Sequence, residues 1–153
     1  MIPIGMKVPA FQLKDQNGLV HSSTDLPGKH ILLSFHPLAW TGVCQLQMEA
    51  LEMNASAFAE LTDTAFGVSV DSIPCKKAWA ESMTVSQTAL LADFWPHGGL
   101  AQSLGIFREV EGISECANVI VDSEGIVRWI KVYPMGEVPD VEEVLAVLKE
   151  LRS

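Results

Sequence analysis

The chain has 153 residues, 48% of them hydrophobic and 19% charged, which fits one globular domain with its own core, expected to span residues 1–153. A formal charge of −9 argues against nucleic acid and anionic membrane surfaces, because phosphate contacts need a basic patch. No apolar run is long enough to span a membrane, and the start Met1 to Pro9 lacks the basic-then-apolar pattern of a secretory leader, so neither is expected. Three widely spaced cysteines do not form a disulfide framework and suit a reducing compartment, so the cytoplasm is the expected location.

Ala10 to Lys14 alternates like a strand, and the turn Asp15-Gln16-Asn17-Gly18 leads into Leu19-Val20-His21, an N-terminal β-hairpin. Ser23 to Gly28 reads as a loop or one helical turn. Ile31 to Phe35 is a short apolar run, a buried strand. Beyond it Met48, Leu51, Ala55, Phe58 and Leu61 recur every three or four residues and predict one long helix. Ala65 to Val70 is a second buried strand. Ser72 can cap a helix with Pro74 in its first turn, with Cys75, Trp79 and Met83 on one face. Ala89 to Ala92 reads as a strand, Asp93 to Gly99 as a loop, and Leu100 to Leu104 as a short helix ended by Gly105.

Asn118 to Val121 and Ile126 to Val132 are strands joined by the hairpin turn Asp122 to Gly125. Asp140 can cap a last helix, with Glu143 reaching back as in a capping box and a stripe at Val141, Val144, Leu145, Leu148 and Leu151. Strands alternating with helices, closed by a hairpin and a final helix, give a three-layer α/β sandwich around a mixed sheet.

The run His36 to Gln47 carries the chemistry. Cys44 falls where a strand hands over to a helix, in the first helical turn. Unpaired backbone N–H groups and the positive end of the helix dipole favour a thiolate there. A free thiol of pKa about 8.5 is roughly 3% ionised at neutral pH, and lowering it by about two units makes most of it thiolate. Cys44 shares its helix face with Gln47 and Met48 and is expected to point inward, into a pocket. Pro37, with no N–H, can wall that pocket. The Thr41 hydroxyl, both donor and acceptor, can orient a polar group beside the sulfur, and the N–H groups of Val43 and Cys44 can bear negative charge that develops there.

Pro37-x-x-x-Thr41-x-x-Cys44 resembles the active-site motif of the peroxiredoxins, thiol peroxidases of thioredoxin-like α/β/α fold. Ala10 to Leu13 with Asp15 to Gly18, Gly67 to Ser72 leading into Lys77 to Ala80, Asp93 to Gly98 and Val121 to Gly125 are similar to further landmarks of that family, in family order and over nearly the whole chain. The Pro37 to Gln45 and Asp93 to Gly98 blocks resemble the one-cysteine subgroup typified by alkyl hydroperoxide reductase E. His36 is also similar to a residue of some one-cysteine members, where the resemblance implies an imidazole near the reactive sulfur. It further implies a homodimer, hydrogen peroxide or small organic hydroperoxides as substrates, and an external thiol or thioredoxin-like protein as reductant. Trp40 and Phe94 are expected near the mouth of the pocket.

Two positions depart from the family pattern. The family's arginine should fall just before Asn118, where this chain has Cys116, and its acidic residue three after the reactive cysteine is Gln47. Removing the cation would strand a buried carboxylate, a cost that an amide avoids. The peroxidase is therefore expected to be slow, or to draw a cation from elsewhere: His36 first, with Arg108 and Arg128 expected at the surface. Cys116→Arg is expected to raise the rate. Cys116 or Cys75 can act as a resolving thiol or simply line the pocket and core. His21, His30 and His97 read as ordinary surface or loop residues. No histidine or cysteine pair has metal-ligand spacing, so no metal and no other cofactor is expected. Two other readings remain open: an impaired redox sensor or binding protein that kept the fold, and a thiol–disulfide oxidoreductase. The second is disfavoured because Thr41 stands where a Cys-x-x-Cys motif has its first thiol.

Overall fold

A computed structural model describes residues 1–25, 29–61 and 63–152. Leu26, Pro27 and Gly28, read above as part of a loop, lie outside the described residues. The N-terminal hairpin pairs β1 (Gln12–Lys14) with β2 (Val20–Ser22), and a short 3-10 turn follows at Ser23–Asp25. The main sheet contains β3 (Ile31–Phe35), β4 (Thr64–Ser69), β5 (Ala89–Ala92), β8 (Cys116–Val121) and β9 (Val127–Tyr133), in the order β5-β4-β3-β8-β9. The strands β3, β4 and β5 run parallel, while β8 lies antiparallel to β3 and β9 antiparallel to β8. A small hairpin of β6 (Phe107–Arg108) and β7 (Ile113–Ser114) precedes β8, at strands too short to show an alternation in the sequence.

The central strand β3 is buried along its whole length, and its alternation sorts the core. Ile31, Leu33 and Phe35 join Phe66, Val68, Val119 and Leu91 on one side, packed with Leu100, Leu104 and Phe11. That side is covered by α4 (Gly99–Ser103) and the N-terminal segment. Leu32 faces the other way, with Met48, Leu51, Trp79, Met83, Leu145 and Leu148. The second side is covered by α1 (Gly42–Met53), α2 (Ala55–Glu60), α3 (Ile73–Met83) and α5 (Val141–Arg152). The result is the three-layer α/β sandwich with a mixed sheet and N-terminal hairpin that the sequence predicts.

Three local expectations need correction. The long helix after β3 is broken at Asn54, whose Nδ2 donates to Ala50 O at 2.8 Å and competes with the helical ladder, so α2 starts afresh at Ala55. On α3 the buried stripe through Trp79 and Met83 also takes in Lys76 and Ala80, while Cys75 is only partly buried against the same cluster. At α5, Asp140 accepts from Glu142 N at 3.0 Å, but Glu143 does not reach back. Its carboxylate instead takes bonds from Lys131 Nζ and the Tyr133 hydroxyl, each 2.8 Å. The Ser72 cap does form, accepting from Cys75 N at 3.3 Å.

Candidate active site

The site lies beyond the carboxyl end of β3. His36 N donates to Val68 O at 3.0 Å, extending the parallel ladder by one residue before Pro37 turns the chain away. Ala39 N then donates to the Asp71 carboxylate at 2.8 Å, tying this turn to the β4–α3 connection. Trp40 takes a left-handed backbone, φ 66°, which reverses the chain into α1 at a steric cost that a side chain usually avoids. Thr41 is the N-cap residue, and the first bond of the helix runs from Gln45 N to Thr41 O at 2.9 Å. The N–H groups of Gly42, Val43 and Cys44 precede that bond and point to the open end of the helix.

Cys44 is the third residue of α1 and faces the sheet with Gln47, Met48 and Leu51, as its spacing requires. It is only 4% exposed and belongs to the apolar cluster under the helices, a tighter enclosure than the open pocket expected from sequence. Trp40 and Thr41 above it are exposed and Pro37 is half-buried. The Thr41 hydroxyl donates to Leu38 O at 2.8 Å, so what it can offer a ligand is its lone pairs.

Beneath the sulfur the floor is neutral. Sheet alternation turns Ser34 and Cys116 toward α1, where Gln47 meets both. Gln47 Nε2 donates to Ser34 Oγ at 2.8 Å and to Phe35 O at 3.1 Å, while Cys116 Sγ donates to Gln47 Oε1 at 3.5 Å. Burial, together with Cys44, Glu115 and Glu137, pushes the Cys116 thiol up to about 12.

The same alternation brings His36 to the helix side, fully buried, its ring 5.3 Å from that of Trp79. Its Nε2 is 3.3 Å from Lys76 Nζ, and its Nδ1 has no hydrogen-bond partner. Burial and the neighbouring Lys76 hold the imidazole well below its ordinary value, against a smaller pull from Ser34. His36 is therefore neutral, and the positive charge expected of it is not there. Lys76, which the sequence reading missed, is the buried cation: it is fully buried, and burial lowers it from 10.5 to about 7. The signal in the sequence is the spacing 76, 79, 80, 83, which puts Lys76 on the stripe of Trp79 and Met83, although its residue type argues for solvent.

The remaining candidates lie at the margin. Cys75 is half-buried, its Sγ 3.8 Å from Asp71 Oδ1; burial and Asp71 raise its pKa, with Trp40 pulling the other way. Arg108 pairs with Glu111 and Glu115, and Arg128 with Asp122. His97 is exposed, while His21 and His30 are half-buried against Asp15 and Asp63. Among the described residues no group of three or more His, Cys, Asp or Glu is placed to hold a metal ion.

The architecture and sequence have clear relatives. Alkyl hydroperoxide reductase E of Mycobacterium tuberculosis is 37% identical over 92% of both chains. A peroxiredoxin of Pyrococcus furiosus is 31% identical over 99% of this chain and 73% of its own length. The crystal structure of Enterococcus faecalis AhpC superposes with a TM-score of 0.91 at 28% identity, covering 99% of this chain and 93% of that one. The AhpC/TSA family model matches residues 4–130. With the thioredoxin-like sheet and these matches together, the chain belongs to the AhpC/TSA family and is a peroxiredoxin, a thiol peroxidase.

Proposed function

We propose that Cys44 is the nucleophile of this peroxidase and that its substrates are hydrogen peroxide and small organic hydroperoxides. The observation that carries this reading is the position of its sulfur-bearing residue in the first turn of α1, facing inward at the end of β3. A lone pair of the Cys44 thiolate attacks the terminal peroxide oxygen, an S–O bond forms, and the O–O bond breaks with its electron pair on the departing oxygen. That oxygen takes a proton from solvent and leaves as alcohol or water, and Cys44 is left as sulfenic acid. One external thiol displaces water from the sulfenic acid to give a mixed disulfide, and a second thiol releases the Cys44 thiolate.

Pro37 walls the site, the Thr41 lone pairs accept the peroxide O–H, and the N–H groups of Val43 and Cys44 face the departing charge. Neutral His36 packs behind the sulfur-bearing turn, and Gln47 and Cys116 form the floor. That floor offers no guanidinium, so this enzyme is slower than one with arginine at position 116, by about a hundredfold if one charged donor to the reacting oxygens is lost. Stopped-flow measurement of Cys44 oxidation reads that rate directly.

A second copy of the chain is the proposed partner. Phe94 and Trp95, 51% and 80% exposed, line a surface cavity with Ile73 and Pro74, and Trp40, 57% exposed, acts on the neighbouring Cys75. This apolar side of the site supports a homodimer, and sedimentation of the wild type against Trp95→Glu tests it. Three free cysteines support a reducing compartment, the cytoplasm. Among the described residues no helix is long and apolar enough to cross a membrane.

The near-complete burial of Cys44 favours one alternative, a redox sensor on the same fold. An oxidation rate no faster than that of a free thiol would select it.

A further inference from the structure

The described residues contain a single fully buried lysine or arginine side chain, and it stands behind the proposed site. Lys76 is placed there by the register of α3, one turn before Trp79, with its stem inside the apolar layer. Its Nζ has no carboxylate within salt-bridge distance among the described residues, and its hydrogen-bond partner is the neutral His36 Nε2. An ammonium with three donors, taken out of water and given one neutral acceptor, is costly. A charge left without a contact partner is poised for a countercharge that comes and goes.

The groups that act on Lys76 come from each surrounding element: His36 after β3, Cys44 on α1, Asp71 after β4, Cys75 on α3 and Asp93 after β5. The two carboxylates are already engaged. Asp71 accepts from Ala39 N and Ser69 Oγ, and Asp93 accepts from Leu100 N and Ala101 N. Cys44 is different, because a thiol becomes an anion only when it loses its proton. An anion there attracts the Lys76 ammonium, and the attraction is mutual.

We infer that Lys76 is a positioning residue for the peroxidase reaction: its buried ammonium, anchored on His36, supplies the positive field that holds Cys44 as thiolate, and loss of the lysine proton switches that field off. The inference rests on Cys44 being the nucleophile. Lys76 does not touch the peroxide; it acts through the sulfur. Because burial brings its titration to about 7, the field is present below neutrality and fades above it. The rate should therefore fall as the ammonium is lost, instead of holding a plateau.

The test is the second-order rate of hydrogen peroxide reduction by the full chain, followed by stopped-flow fluorescence from about pH 5.5 to about pH 9.5. The wild type is expected to show a falling limb through the neutral range. Lys76→Met, which keeps the stem and removes the charge, is expected to be at least about tenfold slower near pH 6.5 and to lack that limb. A wild-type profile that climbs to a plateau overturns the inference, and needs no variant. So does a folded Lys76→Met protein that keeps the wild-type rate or the falling limb. Cys44→Ser separates the two levels. If it still consumes peroxide, the nucleophile is wrong; if it is inert while the wild type has no falling limb, only the role of Lys76 fails.

Discussion

Cys116 Sγ donates to Gln47 Oε1 at 3.5 Å, so the two positions that depart from the family pattern touch each other. Their chemistry is matched: a thiol held protonated and a neutral amide whose N–H groups are spent on Ser34 and Phe35. This contact revises the expectation for Cys116→Arg. The residue is 2% exposed, and a guanidinium there would meet the Gln47 amide in direct contact instead of a carboxylate, with Cys44, Glu115 and Glu137 acting on it only at longer range. Cys116→Arg alone is expected to destabilise the protein by about 3 kcal/mol. Adding Gln47→Glu should recover most of that loss, with a coupling of at least about 1 kcal/mol in a denaturation double-mutant cycle. Equal stability of the single and double variants would contradict the pairing.

The raised Cys116 thiol also bears on how the sulfenic acid is resolved. A thiol pushed up to about 12 is almost wholly protonated at neutral pH and is a poor nucleophile. After one equivalent of peroxide, mass spectrometry is expected to find dimedone on Cys44 and no Cys44–Cys116 linkage. Iodoacetamide at neutral pH should leave Cys116 unmodified until the chain is unfolded.

Gly67 faces the helices between β3 and β5. A Cβ there would lie 2.3 Å from Met48 Sδ, 2.8 Å from Leu90 Cδ2 and 3.4 Å from His36 Cε1. Gly67→Ala must move both Met48, one turn beyond Cys44 on α1, and Leu90. It should cost about 2 kcal/mol in chemical denaturation and slow peroxide reduction as well. A variant with unchanged stability would show that this layer has slack.

Much of this was legible because strands and helices bury one face each. The apolar run Ile31 to Phe35 and the recurrence of Met48, Leu51 and Phe58 marked β3 and the helical segment after it, and Ser72 with Pro74 marked the start of α3. What escaped depended on tertiary competition. Asn54 breaks a continuous apolar period by bonding its own helix. Glu143 prefers the cation and hydroxyl offered by β9 to its own N-terminus. Lys76 was hidden by its type, since no local rule puts an ammonium in a core. The positive charge expected of His36 is absent, because its neutrality follows from burial beside Lys76.

Stability should rise with pH across the neutral range. The unfolded chain keeps Lys76 protonated up to about 10.5, whereas the fold releases that proton near 7, so the unfolded state binds more protons between these values. His36 acts in the same direction below 6.5. From about 9 upward the raised Cys116 and Cys75 thiols work the other way, because there the folded state holds the extra protons. Melting temperature is therefore expected to increase from pH 6 to pH 8.5 (about the neutral window these groups define) and to increase less in Lys76→Met. That variant should also be more stable at neutral pH, by about 1–2 kcal/mol, because an apolar stem replaces a buried charge. A less stable Lys76→Met would mean that the ammonium holds the fold together.

The measurement that bears most directly on the whole account is peroxide consumption by the purified chain and by Cys44→Ser under an excess of small-molecule thiol. The wild type should consume hydrogen peroxide faster than the thiol alone, and Cys44→Ser should fall to that background with its fold intact. Undiminished consumption by a folded Cys44→Ser protein would contradict the claim that the first turn of α1 carries the reacting sulfur.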